Sequence, residues 1–246
     1  MELSLLTDVG QRRSSNQDYV SHFENQNGIT LVVLADGMGG HRAGNVASEM
    51  TVLDLGRLWE ETSFTELVDI RDWLLTVIEA ENKKIHDLGQ EEEYRGMGTT
   101  VEAVAIVDNN IIFAHVGDSR IGLVRGSDYQ LLTSDHSLVN ALVQAGEITE
   151  EEAEMHPKKN IITQSIGQAN PVEPDLAAHV LEAGDYLVIN SDGLTNMISK
   201  EDITAILAED MSLDDKSRAL IALANERGGL DNISVALVHF ESEAST

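Results

Sequence analysis

Val101-Glu102-Ala103-Val104-Ala105-Ile106-Val107-Asp108-Asn109-Asn110-Ile111-Ile112-Phe113-Ala114-His115-Val116-Gly117-Asp118-Ser119-Arg120-Ile121-Gly122-Leu123-Val124 is the stretch that decides the fold class. β-Branched and aromatic residues dominate Val101–Val107, Ile111–Val116 and Ile121–Val124, and Gly, Asp and Asn bound each run, as they bound strands. Asp108-Asn109-Asn110 carries hairpin-turn chemistry. Strand therefore follows strand through this region.

Outward from it, Leu31–Ala35 is apolar throughout, which predicts a central strand buried on both faces. Tyr186–Ile189 and Ser234–Phe240 read as further strands. Helical periodicity is clearest where Ile70, Trp73, Leu74, Val77, Ile78 and Ile85 recur at three- and four-residue spacing and stop near Gly89. A second helix is expected after Gly44, using Val46, Met50, Leu53 and Leu58, and two more at Ser199–Ala208 and Leu213–Asn225. The tryptophans and methionines of these stripes read as core. Helices thus arrive in two pairs set apart from the strand runs, which argues for an α+β fold rather than a doubly wound parallel sheet. Two packed, mainly antiparallel sheets with a helix pair on each outer face satisfy the pattern. Leu138–Ser165 departs from it, with a capping-box spacing at Thr149-Glu150-Glu151-Glu152 and then His156-Pro157-Lys158-Lys159. It reads as a mobile excursion or as an ordinary surface helical hairpin.

The chain has 246 residues, 42% of them hydrophobic, and only three prolines, with no low-complexity linker, so a single domain over 1–246 is expected. A formal charge of −27 repels nucleic acid and anionic lipid, and neither is expected as a partner. The absence of cysteine excludes thiolate nucleophiles and cysteine-ligated metals. The first residues lack a basic segment followed by an apolar core, and no apolar run could span a bilayer; a cytoplasmic location is the expectation.

Five aspartates sit in separate short motifs: Asp36, Asp118 and Asp192 beside Gly, Asp231 beside Asn232, and Asp18 in Asn16-Gln17-Asp18. Asp-Gly alone is a common turn dipeptide. Repetition changes its meaning, because Asp36 and Asp192 each follow an apolar strand, Asp118 sits at a strand–turn junction and Asp231 precedes the last strand. Carboxylates at strand ends can converge on hard divalent cations such as Mg²⁺ or Mn²⁺, which take oxygen ligands. Asp36 suits a bridging ligand, and the unshielded carbonyl of Gly37 can occupy a further position. Without cations such a cluster repels itself and lifts its own pKa values.

The ordered set Thr7-Asp8-x-Gly10, Arg13-x-x-Asn16-Gln17-Asp18, Asp36-Gly37-Met38-Gly39-Gly40-His41, Gly96-Met97-Gly98-Thr99-Thr100, Gly117-Asp118-Ser119-Arg120, Asp135-His136-Ser137, Ser191-Asp192-Gly193 and Gly229-x-Asp231-Asn232 resembles the bacterial metal-dependent serine/threonine phosphatases of the PPM, or type 2C, family. The resemblance runs from Thr7 to about Val238. It implies an αββα four-layer sandwich with a flap subdomain at about 138–165 and a dinuclear Mn²⁺ or Mg²⁺ site. In that site Asp36 bridges, the Gly37 carbonyl binds one ion, Asp192 and Asp231 bind the other, Asp118 recruits a third, and Asp18 holds metal-bound water. Phosphoserine and phosphothreonine in proteins would be hydrolysed by a metal-activated water, with no phosphoenzyme. Arg13 matches the phosphate-binding arginine, whose planar fork suits two phosphate oxygens. His41 matches a candidate general acid. The resemblance also implies phosphoprotein partners supplied by a eukaryotic-type Ser/Thr kinase, and a monomer is expected. His22, His86, His115, His136 and His179 read as structural, and Thr99 and Thr100 as packing or supporting residues. The rival reading is a catalytically weak, phosphatase-like signalling adaptor. A calcium module is disfavoured, because no contiguous acidic loop ends in Glu.

Overall fold

The structure, a computed structural model, describes residues 1–39 and 43–241. The hairpin expected in the opening stretch forms between β5 (Val101–Val107) and β6 (Asn110–Val116). Val107 pairs with Asn110, so the turn is Asp108-Asn109, with Asp108 left-handed at φ 52°. β5 and β6 lie in a sheet of order β2 (Asp18–Glu24), β3 (Thr30–Met38), β5, β6, β9 (Asp175–Val180), with the short β4 (Gly98–Thr99) beside β3. The second sheet has the order β1 (Glu2–Asp8), β11 (Ile233–Phe240), β10 (Asp185–Asn190), β7 (Arg120–Arg125), β8 (Asp128–Leu131). Every pairing is antiparallel.

Strand alternation sorts the side chains into layers. Val32, Leu34, Val104, Ile106, Ile111 and Phe113 face the second sheet and meet Ile121, Leu123, Leu187, Ile189, Ala236 and Val238. Their neighbours Leu31, Val33, Ala35, Ala103 and Ala105 face outward under α1 (Ala43–Glu60) and α2 (Leu67–Leu88), against Trp59, Ile70, Leu74 and Ile85. On the far side, Val124, Val188, Val235 and Leu237 pack under α6 (Lys200–Ala208) and α7 (Leu213–Glu226). The order helix, sheet, sheet, helix is the expected α+β αββα sandwich. Leu31–Ala35, wholly buried, is the two-faced central strand its composition predicted.

Besides the two-residue β4, four strands had no clear sequence signal: β1, β2, β8 and β9. All four are sheet edges. An edge strand is part-exposed, so its apolar pattern is diluted; β8 is mostly exposed and β1 alternates polar and apolar only loosely. Residues 138–165 hold two short helices, α3 (Leu138–Gln144) and α4 (Glu150–Glu154). The Thr149–Glu152 capping box forms as its spacing predicted. The two ends of this excursion are tied together by Leu138 N–H to Ile161 O at 2.9 Å, and Thr163 N–H donates to His136 O, in the loop just before it, at 2.7 Å.

One geometric consequence positions the chemistry. β3, β6, β10 and β1 end, and β2, β7 and β11 begin, at the same end of the sandwich. The aspartate motifs all occupy those termini.

Candidate active site

Asp18 and Asp36 are direct cross-strand partners on β2 and β3, which puts both carboxylates on one face. The Asp36 backbone is clamped. Its N–H donates to Thr100 Oγ1 at 2.9 Å, and its carbonyl accepts from Thr99 Oγ1 and Thr100 N–H, both at 2.9 Å. Thr100 Oγ1 also shares a 2.8 Å hydrogen bond with Ser119 Oγ, next to Asp118. The Gly-Met-Gly-Thr-Thr run is therefore a fastening between the Asp36 strand end and the Asp118 turn. Gly117 at φ 120° makes that turn, and a Cβ there would sit 2.5 Å from Thr100 Cγ2.

The second sheet brings Asp192 and Asp231. Asp192 opens the single turn α5 (Asp192–Thr195) after β10. Gly193 lets this turn press on the last loop: a Cβ would lie 1.9 Å from Asn232 O. Asn232 then fixes the loop that carries Arg13, donating from Nδ2 to Val9 O and Ser15 O and accepting from Gln17 N–H, each at 2.9 Å. Arg13 Nη2 donates to Asp231 Oδ2 at 2.7 Å, so the guanidinium lies at the rim of the carboxylate cluster. Asp18 bridges the sheets, because its Oδ2 accepts from Ser191 Oγ at 2.8 Å and Ser234 Oγ at 2.7 Å.

Convergence appears as mutual electrostatic strain. Burial, then Asp18, Asp192, Asp118 and Asp231, drive the Asp36 carboxyl well above its ordinary range. Burial, with Asp192 and Asp135 behind it, raises Asp118 to about 7. Burial raises Asp18 to about 6, against the two serine hydroxyls, and burial together with Asp231 raises Asp192 to about 6. Asp18 Oδ1 and Asp192 Oδ1 are buried with no hydrogen-bond partner among the described residues. Buried carboxylate oxygens without donors are costly unless a cation meets them, so this donor set of hard oxygens fits divalent ions.

A cleft of about 800 Å³ opens from Asp118 and Asp192 between the excursion and the α5–α6 region, with Val139, Met155, Met197 and Ile198 on its walls. Asp18, Asp36, Asp118, Asp192 and Asp231 are thus brought together, with Gly37 adjoining Asp36 and Arg13 at the rim. His41 lies outside the described residues. Sequence reasoning gave no role to Ser191, Ser234 or Asn232; the first and last stand inside quoted motifs, whereas Ser234, on β11, had no local signal.

Two stacked antiparallel sheets, helix layers outside and a carboxylate cluster at one end define an αββα sandwich with an acidic site. The chain belongs to the protein phosphatase 2C family, whose model matches residues 10–226. A putative protein phosphatase 2C-type of Streptococcus pyogenes is 68% identical over 243 residues, covering 99% of each chain. The serine/threonine phosphatase of S. agalactiae superposes with a TM-score of 0.97 at 70% identity, over 98% of this chain and 99% of that one. The catalytic domain of the serine/threonine protein phosphatase PstP, solved in complex with two manganese ions, superposes with a TM-score of 0.80 at 32% identity over 96% of each chain.

Proposed function

We propose that this protein phosphatase hydrolyses phosphoserine and phosphothreonine in proteins with the help of two divalent cations, Mn²⁺ or Mg²⁺, and a third at Asp118. The observation that carries the reading is the convergence of five carboxylates, four of which, Asp18, Asp36, Asp118 and Asp192, have raised pKa values, while Asp18 Oδ1 and Asp192 Oδ1 are buried without a partner among the described residues. Asp36, the Gly37 carbonyl, Asp192 and Asp231 would hold the first two ions. Bound there, the cations supply Lewis acidity towards the phosphoryl group and lower the pKa of water. Membership of a family in which a relative was solved with two manganese ions supports the reading of a divalent-cation site.

The chain's own groups do the rest. Asp18 is immobilised through one oxygen by two hydroxyls, which leaves Oδ1 to accept a proton from water. Arg13 offers a planar fork of donors to phosphate oxygens, and it supplies local positive charge to a dianion approaching a molecule of −27. His41 is assigned, on the family resemblance, to protonating the departing Ser or Thr oxygen. Residues 1–246 would act as one catalytic domain with 138–165 as its flap, on phosphoproteins made by a eukaryotic-type Ser/Thr kinase, as a cytoplasmic monomer. Among the described residues no helix is long and apolar enough to cross a membrane. Phosphate release from a phosphothreonine peptide, measured with Mn²⁺ and with chelator, tests the activity. Turnover that depends on Mn²⁺ is expected; its absence in both arms would favour the adaptor reading.

A further inference from the structure

Asp135-His136-Ser137 belongs to the ordered motif set, yet no step of the proposed chemistry uses it. The structure ties it to both flanks of Asp118. His136 N–H donates to Gly117 O at 2.7 Å, and Gly117 N–H donates to His136 Nδ1 at 3.2 Å. Beyond Asp118, Arg120 Nε and Nη2 donate to the two Asp135 oxygens at 2.9 and 2.7 Å. Asp118 therefore sits on a short turn gripped one residue before and two residues after by consecutive residues of another segment.

The imidazole that makes this grip is itself fixed from below. Its ring lies 4.7 Å, centroid to centroid, from that of His115. His115 is fully buried, with Nδ1 against Glu102 Oε1 at 2.6 Å and Nε2 against Ser134 O at 3.1 Å. Because His136 Nδ1 accepts the Gly117 N–H, its ring proton belongs on Nε2, which faces Asp175 Oδ2 at 3.3 Å. His115, His136 and Asp175 are close enough to suggest another metal site. Hydrogen bonds already occupy both His115 nitrogens and His136 Nδ1, so too few donors remain.

We propose that His136 is a positioning residue for Asp118. Its Nδ1 lone pair anchors Gly117 in the left-handed conformation and so holds the Asp118 carboxylate where it meets Asp192. This rests on the cation role assigned to Asp118, and it makes the Glu102–His115 pair the footing of that anchor. A group supporting a ligand from behind typically changes metal affinity about 10- to 100-fold.

The test is Mn²⁺ binding by calorimetry on the full chain, with the Mn²⁺ dependence of phosphate release measured in parallel. Variants are His136→Ala, His136→Asn, His136→Gln and Asp118→Asn. The Asn carboxamide oxygen falls near the position of Nδ1 and can accept from Gly117, whereas the Gln amide reaches towards the position of Nε2. His136→Ala should weaken one class of Mn²⁺ site about 10-fold, the same class that Asp118→Asn removes, with the other sites kept. His136→Asn should recover most of that affinity and His136→Gln should not. Wild-type Mn²⁺ binding in His136→Ala, or equal losses in the Asn and Gln variants, would overturn the positioning role. Retention of every Mn²⁺ site in Asp118→Asn would instead overturn the cation reading beneath it. Should His136→Ala fail to fold, the Asn against Gln comparison still decides.

Discussion

Asp36 meets four other carboxylates at the open end of the sandwich, while its own backbone is held by Thr99 and Thr100. A group so placed holds its position firmly, while burial and its neighbours make its charge costly unless a cation meets it. Asp36→Asn or Asp231→Asn should lower kcat by about 100-fold or more, since each removes a ligand of the reacting centre rather than a support behind it. Arg13→Ala should raise KM about 10- to 100-fold with a smaller change in kcat, the loss expected for one or two charge-assisted hydrogen bonds to phosphate. Steady-state kinetics on a phosphothreonine peptide separates the two; an Arg13→Ala variant with unchanged KM and depressed kcat would refute the phosphate role. Asp36, Asp118 and Asp192 were legible in sequence because Asp beside Gly at a strand end is a local pattern, and Asp18 and Asp231 joined them through their motifs. Ser191 and Ser234 were not, because their purpose exists only where positions 18, 191 and 234 come together across two sheets.

At the level of elements, the site depends on backbones that approach closely. Gly37 lies where a Cβ would be 2.1 Å from Gly44 O, and Gly193 where it would be 1.9 Å from Asn232 O. Both obstacles are backbone atoms, which cannot swing aside as a side-chain tip can. Gly193→Ala should therefore destabilise the fold by about 1–3 kcal/mol, the range for overpacking, and displace the Asp231 loop. Chemical denaturation reads the first effect and Mn²⁺ calorimetry the second; a variant with wild-type values in both would show that the loop yields freely. The central strands and the positions of all four long helices were legible from continuous apolar runs or helical spacing, but the face expected for α1 was wrong. Val46, Met50 and Leu53 are half-buried and Leu58 is exposed, whereas Ala47, Val52, Leu55 and Trp59 face the core, because small residues carry much of that contact and weaken the apolar stripe. The sheet edges β1, β2, β8 and β9 were not. Their partners are distant in sequence, as in the pairing of Glu2 with His239, and their exposed side lets polar residues interrupt the pattern.

Over the whole molecule, cation binding and stability are linked through the same carboxyls. Asp18 and Asp192 rise from 3.8 to about 6, and Asp118 to about 7, in the metal-free fold. Carboxyls raised by folding contribute stability that is complete below pH 3.8 and is lost as pH climbs through 6 and 7. In chelator, the cluster's contribution should thus make Tm fall between about pH 4 and pH 7, with the repulsion of a −27 molecule acting in the same direction. Mn²⁺ competes with protons for these oxygens, so its stabilisation should be larger at the upper end of that range. Binding at a hundredfold excess over Kd is worth about 2.7 kcal/mol per site, or roughly 5–10 °C in Tm for a chain of this size. Scanning calorimetry with Mn²⁺ and with chelator across that range checks it; a Mn²⁺ effect independent of pH would exclude these carboxyls as the ligands.

The claim on which the rest depends is that these five aspartates form one cation site. Anomalous scattering from Mn²⁺-soaked crystals tests it most directly, because it counts ions and identifies their ligands together. The predicted result is two strong peaks among Asp36, the Gly37 carbonyl, Asp192 and Asp231, with a third beside Asp118. Crystals soaked to saturation that give no peak within coordinating distance of Asp36 would contradict it.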